Sequence, residues 1–177
     1  MTVIESIKAL RQEYTDTPRK ECTIEEEKGD IVSLFSSSSI DILFNAVSCD
    51  SIVMPTKEEL MVEVIKKYPE MGKIVEKYDN ETFYINKVGN FIYLRITNND
   101  ELFYLITGYC KLHQDDEFDY NAFNLIVKKL NRISFAEGVV IGVSEKDLLA
   151  IGAEMSKINM ILKSHLTAGQ IVKIIKE

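Results

Sequence analysis

Apolar positions along this chain change their period twice, and the elements they predict change with them. Ile4, Ile7, Leu10 and Tyr14 recur at helical spacing behind a Thr2/Glu5 capping box, and Thr17-Pro18 closes that segment. Residues 21–32 are ambiguous, because the Glu25-Glu26-Glu27 run favours a helical or exposed segment and Gly29 interrupts it. After the polar punctuation of Ser36 to Ser39, residues 40–47 form a buried run whose length fits a strand or a helix. Pro55, Thr56 and Glu59 then give a second helix start, with Leu60, Val64 and Tyr68 on one face. Pro69 opens a short helix carrying Met71, Ile74, Val75 and Tyr78.

The middle reads as strand. Residues 82–88 and 91–97 are rich in aromatic and β-branched side chains about Gly89-Asn90, which is a hairpin signal. Asn98-Asn99-Asp100 makes another turn, and residues 102–107 read best as a third strand of a small antiparallel meander, with a helix as the alternative for that segment. Helical spacing returns over 119–131, through Tyr120, Phe123, Ile126, Val127 and Leu130. Residues 139–143 are a short β-like run. Ser144 and Asp147 then open the longest predicted helix, along which Leu148, Ile151, Met155, Ile158 and Leu162 form one apolar seam. Thr167 and Gln170 have capping-box form and predict a final short helix through Ile171, Ile174 and Ile175. The fold class expected is α+β, with helical N- and C-terminal parts around a small antiparallel meander. One domain over 1–177 is expected, with a soft boundary near Asp79-Asn80.

Composition narrows the function classes. With 177 residues, 46% of them hydrophobic and 28% charged, the chain can build a core and does not read as disordered. Acidic residues outnumber basic ones by 28 to 21, for a formal charge of −7. The nearest basic stripe, Lys66, Lys67, Lys73 and Lys77, is interleaved with Glu58, Glu59, Glu63, Glu70 and Glu76, so a solvated helix face is expected rather than a nucleic-acid surface. Three widely spaced cysteines, Cys22, Cys49 and Cys110, fit a reduced compartment. No signal-peptide pattern and no membrane span are expected.

Local motifs give no chemistry. His113 and His165 have no partner at metal-ligand spacing, and neither a nucleophile elbow nor a phosphate-cradling loop is present. The acidic stretch 115–123 imitates a calcium loop. Setting Asp119 at its ninth position puts Lys111 first, Asp116 sixth and Ala122 twelfth, which breaks the ligand set; an acidic helix start is expected instead. Gly138 to Gly142 leading into Ser144 could aim amides at an anion, although such turns are common for steric reasons. Catalytic, cofactor and metal residues are therefore expected to be none, and the Leu148–Leu162 seam is the one candidate interface, if it is not internal core.

A partial resemblance adds a family. Glu26-Glu27-Lys28 before Ile31 to Phe35, Ile42 to Cys49, Met54-Pro55 into Glu59-Leu60, and Gly72-Lys73-Ile74-Val75 together resemble the baseplate hub and hub-assembly proteins of T-even-type tailed phages. Length and acidity are similar to those of the distal hub subunit. The resemblance implies a non-catalytic structural or assembly protein that contacts other hub subunits, acts in the host cytoplasm during assembly and takes a place in the virion tail. The alternative is a free cytosolic interaction module, such as an inhibitor, an immunity protein or an acidic dimeric chaperone. An enzyme ranks third, with Asp115, Asp116, Glu117 and Asp119 as its only acid–base candidates. Self-association is compatible with both leading readings, and nucleic acid with neither.

Overall fold

A computed structural model describes residues 19–50 and 58–177. Its elements are β1 (Thr23–Lys28), α1 (Ile31–Ser36), β2 (Ile42–Ser48), α2 (Glu59–Lys67), α3 (Pro69–Glu81), α4 (Tyr84–Lys87), β3 (Phe91–Asn98), β4 (Glu101–Lys111), α5 (Tyr120–Ile133), β5 (Val140–Ser144), α6 (Glu145–Ala150), α7 (Met155–His165) and β6 (Ile171–Lys176). The six strands form one sheet in the order β1-β6-β5-β2-β4-β3. Neighbours are parallel throughout except at the β3–β4 hairpin.

This overturns the expected helical ends around a small meander: the sheet runs through the whole described chain and is mostly parallel. The segment 21–32 resolves into β1 and α1, with the Asp30 side chain capping α1 by accepting from the Ser33 amide. Residues 40–47 were undecided by length; they become β2, every residue of which is buried because helices cover both faces of a central parallel strand. The expected strand over 82–88 is instead the end of a turn and the short helix α4. The hairpin is β3–β4, closed at Asn99 and Asp100, whose φ values of 50° and 65° suit the turn that matches strand twist. The final segment is strand, not helix. Inserted between β1 and β5, β6 finds two ladders of backbone partners, which outweigh a weak capping signal.

Two cores sandwich the sheet. On one face α5, α6 and α7 cover Ile42, Phe44, Ile106, Val143 and Ile174 with Phe123, Ile126, Leu148, Ile158 and Leu162. On the other, α1, α2 and α3 cover Leu43, Val47, Leu105 and Tyr109 with Phe35, Met61, Val64, Met71 and Val75. Gly108 in β4 shows how tight the first core is: a Cβ there would stand 2.8 Å from the Phe44 ring. The seam expected on one long helix is divided between two, because the chain turns at Gly152, where φ is +90°. Leu148, Ile151, Ile158 and Leu162 are buried in the first core, and Met155 is half-buried against it. Asp79 and Asn80, the expected soft boundary, lie inside α3. The predicted helix over residues 4–14 and the start signal at Pro55-Thr56 lie outside the described residues. No helix among those described is long and apolar enough to cross a membrane.

Candidate functional site

In a parallel sheet with helices on both faces, the place to look is the carboxyl edge where outgoing connections diverge. Here that point lies between β2 and β5. The chain leaving β2 passes to α2 on one face, and the chain leaving β5 passes to α6 and α7 on the other. Polar residues end each strand. β2 finishes at Ser48 before Cys49 and Asp50, β4 at Lys111, and β5 at Ser144.

Their side chains are buried, and the polar ones are bonded to side chains and backbone around them. The Ser48 amide donates to Glu58 Oε1 at 2.8 Å, and its hydroxyl donates to Asp50 Oδ1 at 2.6 Å. Asp50 Oδ2 accepts the Gln114 amide at 3.4 Å and lies 3.7 Å from His113 Nδ1. Lys111 Nζ donates to the carbonyls of Gln114 (2.7 Å), Ile151 (3.2 Å) and Asp116 (3.4 Å), and so ties the β4–α5 loop to the loop after α6. From β5, Ser144 Oγ donates to Asp147 Oδ2 at 2.5 Å, while Asp147 Oδ1 accepts the Leu60 amide of α2 at 3.3 Å. One buried donor at this edge, Gln114 Nε2, has no partner.

Burial sets the acid–base character. Glu58 is only 8% exposed, and loss of water pushes its carboxyl up, partly offset by the Ser48 amide and the Lys111 charge. Burial pushes the Cys49 thiol up to about 12 despite the nearby Lys87 ammonium. It is therefore a neutral packing residue and not a nucleophile. Lys87 ties α4 to α3 and to the chain leaving β2, donating to Asp79 Oδ1 at 2.7 Å and to the Cys49 carbonyl at 3.4 Å.

Sequence reasoning named several of these residues without bringing them together. Asp119 caps α5 by accepting the Ala122 amide. Asp116 accepts the His113 amide, and so shapes the loop beside Lys111. His165 lies far along the chain, 2.5 Å from Asn124 Oδ1. Among the described residues no three His, Cys, Asp or Glu side chains are grouped to hold a metal ion. The Gly138–Gly142 run offers no anion cradle: Gly142 lies within β5, where a Cβ would stand 2.5 Å from Ile40. What the motif search missed is Lys111, Glu58 and Asp50, which come from three separate strand ends and helix starts. The signal available was their position: each follows or faces an apolar run that stops at a polar residue before a helix.

No protein-family model and no curated protein matches the sequence. Solved structures do match. The macrodomain of Mycobacterium tuberculosis DarG superposes with a TM-score of 0.64 at 17% identity, over 88% of this chain and 99% of that one. The fold is macrodomain-like. A Bacteroides thetaiotaomicron structural-genomics protein gives a TM-score of 0.66 at 14% identity, over 86% of this chain and 98% of that one. Thermosipho africanus DarTG, solved in complex with ADP-ribose, gives 0.63 at 12% identity over 90% of this chain and 44% of that one.

These likenesses replace the phage-hub reading. The hub resemblance used common residue types over less than half the chain, whereas the fold match spans most of it. The expected contacts with hub subunits, the place in a virion tail and the structural or assembly role fall with the hub reading. So do the alternatives drawn beside it, the inhibitor, immunity protein and dimeric chaperone. The expectation of a non-catalytic chain is corrected too. It rested on the absence of contiguous motifs, and this fold brings polar residues together from separate strand ends.

Proposed function

We propose that this chain binds an ADP-ribosyl group in the crevice at the carboxyl ends of β2, β4 and β5. The observation that carries the reading is the convergence of Ser48, Asp50, Glu58, Lys111 and Asp147 at the switch point of a fold whose Thermosipho africanus neighbour holds ADP-ribose. Carboxylates and carbonyls suit ribose hydroxyls and a base amine, and the unpartnered side-chain amide of Gln114 offers a donor at the same edge, beside the charge of Lys111. Titration calorimetry of the purified chain with ADP-ribose tests it. Saturable one-to-one binding at or below about 1 mM supports the reading. Absence of heat with ADP-ribose, under conditions where the chain is folded, sinks it.

A second reading follows from Glu58. A buried carboxyl raised above its ordinary value and held at a crevice by the Ser48 amide is placed to transfer a proton. Cleavage of an ADP-ribosyl bond is then the reaction class to assay. Release of free ADP-ribose from an ADP-ribosylated peptide or oligonucleotide, lost in Glu58→Gln, supports hydrolysis over binding alone.

A further inference from the structure

The sheet ends in two strands that are built differently. β1 carries Glu25, Glu26, Glu27 and Lys28 among its six residues, which is how an edge is guarded against further pairing. β3 has one charge, Arg95, no proline, and a register unbroken from Phe91 opposite Gly108 to Asn98 opposite Glu101. Among the described residues its ladder partner is β4 alone. The Tyr109 amide donates to the Asn90 carbonyl, so even-numbered positions turn their backbone groups to β4. Phe91, Tyr93, Arg95 and Thr97 turn theirs to the open edge. Tyr93 is 53% exposed with its ring edge-on to Tyr104, and Leu102, exposed as well, follows on β4. Ile92, Leu94 and Ile96 are half-buried on the other face of the sheet, against the core under α1, α2 and α3.

This edge is complementary to itself. An antiparallel two-fold pairing centred on Arg95 sets the two guanidinium groups opposite each other, which like charge disfavours. Centring on Tyr93 sets the apolar Ile96 against Asn90. Centring on Leu94 sets Ile92 against Ile96, Leu94 against itself and Tyr93 against Arg95, a contact of cation and ring made twice. The same register brings the exposed turn at Asp100-Glu101 of one copy alongside Asn90 of the other. There Lys129 Nζ is held by the Gly89 carbonyl at 3.2 Å and by Asn90 Oδ1 at 2.5 Å. Opposite charges thus meet at both ends of the pairing, in a chain whose overall charge of −7 otherwise opposes association.

We propose that β3 is the interface through which two copies of this chain form a two-fold dimer, paired antiparallel about Leu94 so that two six-stranded sheets become one. The contact is isologous and uses the open β3 edge of each copy. The edges left outside are the guarded β1 strands, so assembly stops at two.

Analytical ultracentrifugation of the full chain tests it. Wild type is expected to reach twice the chain mass with a dissociation constant at or below about 100 μM. Tyr93→Lys places a lysine opposite Arg95 in both halves of the contact and is expected to weaken association about tenfold or more. Adding Arg95→Glu restores opposite charges at the same positions and is expected to recover the dimer, which a merely structural defect would not do. Tyr93→Pro, which removes an edge-facing amide and no bond of the β3–β4 ladder, serves if the lysine variant fails to fold. A wild-type chain that stays monomeric at that concentration overturns the proposal and leaves the edge to a strand of another protein. A dimer that Tyr93→Lys leaves unchanged, or that the double variant does not recover, overturns it as well, because the contact then lies elsewhere or in another register.

Discussion

Two buried polar clusters lie at opposite edges of the same sheet, and they are built differently. At the amino end of β6, Asn131, Ser134, Thr167 and Gln170 form a neutral network. Gln170 Nε2 donates to Asn131 Oδ1 at 2.9 Å and to Ser134 Oγ at 3.2 Å; Asn131 accepts the Thr167 amide at 3.1 Å and donates to its hydroxyl at 3.2 Å. Gln170 Oε1 accepts the Ala168 amide, and the Ser134 hydroxyl returns to the Leu130 carbonyl. At the carboxyl edge the polar groups are ionisable, the buried Asp50, Glu58 and Lys111 and the half-buried Asp147, and the Gln114 amide nitrogen has no partner. A satisfied neutral network costs little to bury and fixes local geometry. Buried charges are expensive, and they persist where chemistry uses them. The difference separates an edge built to hold the fold from the edge proposed to take a ligand.

Apolar packing sets the scale for breaking that contrast. Ile158 is fully buried on the inner side of α7, so Ile158→Ala should cost about 2–5 kcal/mol and lower the melting temperature by roughly 5–15 °C. Differential scanning calorimetry checks it, and a smaller loss would mean that the face carrying both clusters can collapse around the gap.

The neutral cluster comes next. Asn131→Ala strips the acceptor from the Thr167 amide and one acceptor from Gln170, which should cost about 2–3 kcal/mol. Denaturant melts read this loss, while ADP-ribose affinity of the folded fraction should stay as in wild type. A loss of affinity there would erase the division between the two edges.

At the other edge the pattern should invert. Lys111→Met keeps the bulk of the side chain but takes the donor from three carbonyls, so stability should fall by about 1–3 kcal/mol. Without the ammonium, the β4–α5 loop and the loop after α6 lose their shared donor, and ADP-ribose binding should weaken about tenfold. Calorimetry with urea melts on the same sample separates the two effects.

Smallest is a pH effect at Glu58. Its folded-state pKa is raised by burial, so the neutral carboxyl is the form that the fold favours. That contribution is fully present below the ordinary value of 4.5 and is lost as pH rises through the higher folded value. Glu58→Gln is neutral throughout. Its melting temperature relative to wild type should therefore be more favourable at pH 8 than at pH 4, by a few degrees at most. An identical difference at both pH values would show that Glu58 is solvated and unsuited to proton transfer.

Local pattern alone fixed much of this protein. The helix over 119–131, the start at Ser144, the turn at Asn98-Asn99-Asp100 and the apolar run before Ser48 are all legible in the sequence, because capping chemistry and hydrophobic spacing are local properties. The carboxylates and the lysine of the site are visible as residue types, yet nothing local groups Asp50, Glu58, Lys111 and Asp147. Tertiary structure decided the rest. Whether residues 40–47 and 171–176 are strand or helix depends on the neighbours that supply their backbone partners, which lie far off in sequence: β2 pairs with β4 and β5, and β6 with β1 and β5. The sheet order then carries the ends of β2, β4 and β5 to one edge and brings scattered polar residues together there. Strand pairing and the convergence of side chains are long-range properties, and a single sequence shows only the short-range half of the balance that sets them.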